Sequence, residues 1–404
     1  MKKYKFILYF ILYFCFETCM NIVHPVTPTY VNSLNLPEYY FGFFFALMSL
    51  GQVIGAIFFG FLSDKIGRKW LISIGIVGYA LSQAGFGFIN TYPGLILLFR
   101  ILAGFFVSAP NTLFISMTLD YSTKESSVKN LSILSFSSVL GQACGYEIGG
   151  SLYNYLHFTI QQIFIMQISF SCITAFIFAL LMKDKKNENV SSKSKFSFKS
   201  LRNLNALVYL LLISLFVLTV GQVLVNKYLD PYVTDIGFEP AILGHYVFIT
   251  GVIGALSNLL IIPVIKKVKN KKLAVLLVSF IFTSAALTFL TFLLPVNILY
   301  LLFTTHLIYI ILKALILPLE QNEIASYSDG SNYGQLMGAR QTVLSIGNVI
   351  GPFIGSAIYT KGSPIIFVVA ASIIFLSLGL YVTYFGVKHI KNKDNLNTTD
   401  QQNM

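Results

Sequence analysis

Apolar stretches broken by short polar punctuation follow one another along the whole chain, at roughly 6–31, 41–62, 70–89, 94–118, 131–155, 160–182, 206–225, 241–265, 273–294, 298–319, 336–359 and 364–387. Each is long enough for an α-helix to cross a hydrocarbon layer about 30 Å thick, which takes about 20 residues. Only helices or closed barrels satisfy their backbone polar groups in lipid, so the pattern predicts an all-α membrane protein with twelve transmembrane helices. Residues 183–205 break the pattern with a basic, Ser-rich segment. It reads as a linker between an N-terminal six-helix bundle (1–182) and a C-terminal one (206–387), with residues 388–404 as a polar tail.

Composition narrows the class further. Of 404 residues, 55% are apolar and only 11% charged, against about 25% charged in soluble domains. The formal charge of +12 raises nucleic-acid or acidic-lipid binding, but the location of the basic residues decides otherwise. Of the 28 Lys and Arg, 24 lie on one side of the predicted spans; Lys227 and Lys361 lie on the other, and Arg100 and Lys313 fall within apolar helices. This positive-inside asymmetry places both termini in the cytoplasm of a cell membrane, bacterial inner or plasma. No soluble module carries the clustered basic footprint that nucleic acid requires. Cys15, Cys19, Cys144 and Cys172 all fall inside apolar runs. Cys15 and Cys19 with His24 lack the four flexible ligands of structural zinc, so no metal is expected. The basic, apolar start resembles a signal peptide, but no small-x-small cleavage site follows and Glu17 interrupts the run, so it reads as the first span.

Shifting the chain by 206 residues aligns Tyr121, Ser122, Gly141, Gly145, Ile148, Gly149 and Tyr153 with Tyr327, Ser328, Gly347, Gly351, Ile354, Gly355 and Tyr359. Duplication of a six-helix unit marks secondary transporters, whose substrate site lies near the midplane.

Between the second and third spans runs Gly60-Phe-Leu-Ser-Asp64-Lys65-Ile-Gly67-Arg68-Lys69. Gly60 would let another helix approach, Gly67 permits the positive φ of a tight turn, and Lys65, Arg68 and Lys69 complement a helix end. A carboxylate there, Asp64, needs a cation or another helix's N-terminus. The segment resembles the loop signature of the major facilitator superfamily, Gly-x-Leu-x-Asp-Arg-x-Gly-Arg-Lys. The resemblance implies two pseudo-symmetric six-helix bundles and a cytoplasmic latch in which Asp64 meets the start of the eleventh helix near Arg340. The second-half counterpart, Pro263 to Lys272, lacks both the acid and the glycine.

In the fifth span, Gly141-x-x-x-Gly145-Tyr146-x-x-Gly149-Gly150 resembles the Gly-x-x-x-Gly-Pro-x-x-Gly-Gly motif of the superfamily's drug:proton antiporter branch, which includes multidrug and tetracycline-type efflux proteins. Tyr146 stands where the motif has proline; the second half keeps it, in Gly347-x-x-x-Gly351-Pro352-x-x-Gly355. Four-residue glycine spacing lets helix backbones touch, here expected as interdomain packing. Pro25 and Pro28, and Arg100 with Gly104, match two further elements of the branch. With 24 Lys and only 4 Arg, as an AT-rich genome would give, the Arg residues kept at 68, 100 and 340 carry extra weight.

Ionisable groups inside spans are costly and are functional candidates. Glu17, Asn21, His24 and Pro28 form one stripe on the first helix, and His306, Lys313 and Glu320 another on the tenth. The resemblance implies that the first, fourth, seventh and tenth helices surround the cavity. At 1.5 Å per residue, Glu17 lies about 16 Å from the cytoplasmic boundary, while Arg100 and Glu147 lie about 9 and 12 Å from the other. Arg100 and Glu147 are therefore expected to pair, and Glu17 and Lys313 to lie nearer the middle. Glu320 and Glu323 read as solvated or latch residues.

The expected function is export of a small amphipathic, cationic compound by alternating access, driven by the proton gradient without another cofactor, in a monomer. Glu17 would supply the counter-charge and aromatic side chains the stacking. Transport of a sugar or organic anion, with Lys313 and Arg100 as ligands, is the alternative within transport; a receptor or membrane enzyme is the alternative outside it.

Overall fold

The computed structural model describes residues 3–37, 39–89, 92–123, 126–183, 205–265, 270–328 and 333–402. The linker expected at 183–205 and the loop at 266–269 lie almost wholly outside the described residues. What is described is helical, and eleven of its helical segments are long and apolar enough to cross a membrane. The remaining predicted span, 131–155, forms a helix of 28 residues, α6 (Ser127–Asn154). Its hydropathy is lowered by Ser138, Gln142 and Glu147, which prove to be contact residues.

Two predicted spans are broken. The first consists of α1 (Lys3–Asn21), a 3-10 turn (His24–Val26) and α2 (Thr27–Ser33). Pro25 and Pro28 supply no backbone N–H, so the α-helical ladder cannot run through them. The tenth consists of α11 (Ile298–Leu302) and α12 (Thr305–Ala325). The others are α3 (Tyr39–Ile66), α4 (Arg68–Phe88), α5 (Pro93–Tyr121), α7 (Ile160–Leu181), α8 (Ala206–Asp235), α9 (Pro240–Ile265), α10 (Asn270–Leu293), α13 (Tyr333–Ile358) and α14 (Ile365–Gln402). Two run further than expected. α8 continues ten residues past 225 to carry Lys227 and Asp230 inside the helix, and α14 continues through the polar tail to Gln402.

The chain forms two compact units. The first comprises residues 1–190, 227–256 and 352–363. Within it α5 packs on α3 and α4, α4 on α7, and α1 on α6 and α7. A core of Tyr9, Phe16, Ile76, Tyr79, Phe114 and Phe178 fills one end, and Tyr30, Phe44, Phe86, Ile96 and Phe164 fill the other. The far end, opposite Lys3, is closed by polar contacts from the later segments: Asn32 Nδ2 donates to Asp235 Oδ1 at 3.0 Å, Tyr359 donates to the same carboxylate, and Asn154 Oδ1 accepts from the Ala241 N–H at 2.9 Å. The second unit comprises residues 191–226, 257–351 and 364–404, where α10 packs on α12 and α14.

Large apolar side chains stay exposed along the helices, among them Ile57, Phe61, Leu81, Phe176 and Val275. In water such a belt would drive aggregation, whereas lipid is as apolar as the side chains. Many Ser and Thr hydroxyls inside the spans are satisfied by their own helix, as in Thr18 to the Phe14 carbonyl at 2.9 Å and Thr118 to the Phe114 carbonyl at 2.8 Å.

Candidate functional site

The site is built where α6 rides on α1. A Cβ on Gly141 would lie 2.7 Å from the Glu17 Cβ, one on Gly145 2.5 Å from the Thr18 carbonyl oxygen, and one on Gly149 would collide with the Ile22 carbonyl. These glycines therefore pack two helices of the same half, not the two domains as expected. The second half repeats the device: Gly347 faces Thr219 and Gly351 faces Val223 on α8, and Gly355 meets the ring of Tyr228, whose hydroxyl donates to the Pro352 carbonyl at 2.9 Å. Gly150 alone turns to a later segment, against the Pro240 carbonyl. Small residues are needed at each place because only backbone contact brings the polar groups of the paired helices within reach.

That contact delivers Glu17 to two donors. Its side chain is 4% exposed; Ser138 Oγ donates to Oε1 at 2.9 Å and Gln142 Nε2 to Oε2 at 3.3 Å. Among the described residues no cation lies within ion-pair distance of it. A buried carboxylate held only by neutral donors is costly as an anion and is relieved by a proton or an arriving cation. Asn21 spends its amide on the Glu17 backbone carbonyl at 2.8 Å, where α1 ends. One turn before Glu17, Phe14 lines an open groove of about 750 Å³ together with Phe6, Phe10, Tyr121 and Phe136. Lys129 also lines the groove, and Glu17 lies one turn beyond it rather than in it; aromatic side chains near a lone carboxylate suit a flat apolar body with a cationic end.

Further along the stripe the arrangement differs from expectation. Arg100 does not pair with Glu147. Its guanidinium lies 3.7 Å from the Phe86 ring centroid and 5.8 Å from that of Phe44. Glu147 is taken instead by His245, with Nδ1 at 2.8 and 2.9 Å from its two oxygens. Depth along an axis placed both groups at one level but could not give the direction in which each points. Beside them stand Asp230, which the sequence reading did not single out, and Lys227, which it placed outside the spans. The Tyr146 hydroxyl donates to Asp230 Oδ2 at 2.8 Å, while the Tyr146 ring stacks on His24 at 5.5 Å. Lys227, one turn before Asp230, lies 5.3 Å from the Phe45 centroid. The continued apolar spacing of Val220, Leu224, Tyr228 and Tyr232 was the available signal that the seventh helix runs past 225.

In the motif between the second and third spans the glycine turn is as expected. Gly67 has φ of 96° and separates α3 from α4. Arg68 pairs with Asp120 at the end of α5, and Lys65 and Lys69 lie over the rings of Phe61 and Trp70 at 4.5 and 4.7 Å. Gly60 admits no close neighbour: among the described residues nothing lies within 4 Å of a Cβ there. The Asp64 side chain lies outside the described residues.

In the second unit Arg340 holds Glu320 at 2.9 Å. Glu320 and Glu323 are not solvated, being 0% and 2% exposed. Glu323 accepts from Tyr384 and, at 2.5 Å, from Lys388. His306 is buried edge-on against Phe292, and Lys313 is half-buried two turns further along α12. The four cysteines are free thiols, and among the described residues no three His, Cys, Asp or Glu side chains gather as metal ligands.

Comparison with known proteins agrees with this architecture. The Major Facilitator Superfamily model matches residues 9–312 and 275–402. The quinolone resistance protein NorA of Staphylococcus aureus is 24% identical over 361 residues, covering 89% of this chain and 90% of its own. Multidrug resistance protein 2 of Bacillus subtilis is 22% identical over 377 residues, covering 90% and 91%. Among solved structures, a bacterial homolog of the human lysosomal transporter Spinster, inward-facing and occupied, superposes with a TM-score of 0.78 at 14% identity, covering 95% of this chain and 96% of that one. The nucleoside transporter NupG gives 0.75 at 14% identity over 95% and 99%, and a D-xylose-proton symporter 0.69 at 17% over 92% and 95%. Family and fold are those of transporters rather than enzymes. The chain is a multi-pass membrane transporter of the major facilitator superfamily, similar to its multidrug resistance members.

Proposed function

We propose that the chain exports small amphipathic compounds bearing a cationic group in exchange for protons, by alternating access, as a monomer with both termini in the cytoplasm. The observation that carries the proposal is the environment of Glu17: buried, held by Ser138 and Gln142, without a basic partner among the described residues, and one turn beyond an aromatic groove. Such a carboxylate binds a proton or a cation but not both, and that exclusivity is what exchange requires. The relatives at 22% and 24% identity, named for multidrug and quinolone resistance, support the substrate class, and the basic residues gathered on one side support the orientation. The test is uptake of a cationic dye into inverted membrane vesicles energised with an inward-acid gradient. Uptake that collapses on adding a protonophore is expected; uptake indifferent to the gradient would contradict proton exchange.

A further inference from the structure

Three nitrogen-bearing side chains of the first unit converge near the far end of the stripe, and none has a hydrogen-bond acceptor among the described residues. Arg100 is 5% exposed, makes no ion pair, and leaves its Nε without a partner. Its guanidinium and the Lys227 ammonium are anchored over adjacent rings of one α3 turn, Phe44 and Phe45. His24 is held flat against Tyr146, and both Arg100 and Lys227 lie within electrostatic range of it. The facing acid is Asp230, already hydrogen-bonded by Tyr146 and balanced by Lys227. With His24 neutral, the two cations against one carboxylate leave one positive charge uncompensated. Arginine cannot discharge it by losing a proton, and a buried charge without a counter-ion is expensive.

We propose that Arg100, Lys227 and His24 form an anion-accepting subsite for a carboxylate of the transported compound, so that the preferred substrates are zwitterions. Glu17 lies one turn before the end of α1 and His24 opens the 3-10 turn that follows, seven residues on, a rise of about 10 Å. The first unit thus presents a lone negative group at Glu17 and a net positive cluster two turns further on, with the lining of the aromatic groove ending at Phe14, one turn before the negative group. A flat molecule with an amine at one end and a carboxylate at the other satisfies both. Arg100 and Lys227 donate N–H hydrogen bonds to the substrate carboxylate, His24 lends a further N–H, and the Tyr146–Asp230 bond keeps the competing carboxylate occupied. The subsite deepens the export function proposed above and rests on it for the position of the cationic end.

Rhodamine B, which carries a free carboxylate and a cationic xanthene, and its ethyl ester, which keeps only the cation, make a matched pair. Their equilibrium binding to the full chain in detergent, read by fluorescence polarisation, needs no proton gradient, so it is independent of the vesicle assay for exchange. A charge-assisted hydrogen bond predicts that the free acid binds about tenfold tighter than the ester. The ratio should fall to about one in Lys227→Gln, and also in His24→Phe combined with Lys227→Gln, which leaves Arg100 and its packing in place. Equal affinity of acid and ester in the unmodified protein would overturn the subsite. So would a ratio unchanged in Lys227→Gln. Preferential binding of the acid without gradient-driven uptake would uphold the subsite and contradict the exchange mechanism instead.

Discussion

The Tyr146 hydroxyl donates a 2.8 Å hydrogen bond to Asp230, joining α6 to α8 at the position where the related glycine motif carries proline. The tyrosine that replaces the motif's proline thus supplies a polar tie between the two helices. A hydrogen bond to a charged acceptor contributes about 1.5 to 3 kcal/mol. Tyr146→Phe and Asp230→Ala should each lower the melting temperature in detergent by several degrees, and the double variant should cost little more than either alone. Fully additive losses would mean the two residues do not act together.

Glu147 and Arg100 give a second double-mutant comparison. Because Glu147 is bonded to His245, Glu147→Gln should couple with His245→Gln and add independently to Arg100→Ala. Recovery of Arg100→Ala expression by Glu147→Gln would restore the pairing that depth alone suggests.

Glu320 is fully buried and depends on Arg340. Removing one partner strands the other, at about 3 to 5 kcal/mol, so Arg340→Ala should lose most folded protein. Pairing it with Glu320→Leu should recover a substantial part, as read by the monodisperse size-exclusion peak. No recovery would show that Arg340 matters through another contact.

Glycine positions separate by what faces them. Gly145→Ala forces a methyl onto the Thr18 carbonyl, whereas among the described residues nothing lies within 4 Å of the methyl in Gly60→Ala. Overpacking costs about 1 to 3 kcal/mol, so Gly145→Ala should unfold at a distinctly lower temperature and Gly60→Ala should match the unmodified chain. Equal behaviour of the two would contradict the α1–α6 backbone contact.

Much of the fold was legible because lipid imposes so few solutions. Helix positions follow from apolar length, and the repeat shows in the aligned glycines, which have one task in both halves: seating the fifth helix on the first and the eleventh on the seventh. The candidate site was legible only one helix at a time. Periodicity placed Glu17, Asn21 and His24 on one helical stripe; in the structure α1 carries Glu17 and Asn21 and ends there, and His24 opens the 3-10 turn that follows. Periodicity could not name Ser138 and Gln142 as the partners of Glu17, because cross-helix partners depend on how α6 is rotated about its axis. Lys227 was misplaced for a related reason: a basic residue near the end of an apolar run looks like a loop charge until the helix is seen to continue. Arg68 and Asp120 lie at ends of α4 and α5 that meet only in the folded chain.

The central claim is that a proton and a cation compete for Glu17, and the most direct measurement is proton release from the purified chain in weakly buffered detergent when the ethyl ester of rhodamine B is added. The unmodified protein should release protons in proportion to dye bound, in a pH range where Glu17 is protonated before binding. Glu17→Gln should release none. Release of the same size from Glu17→Gln would place the exchangeable proton elsewhere and contradict the account.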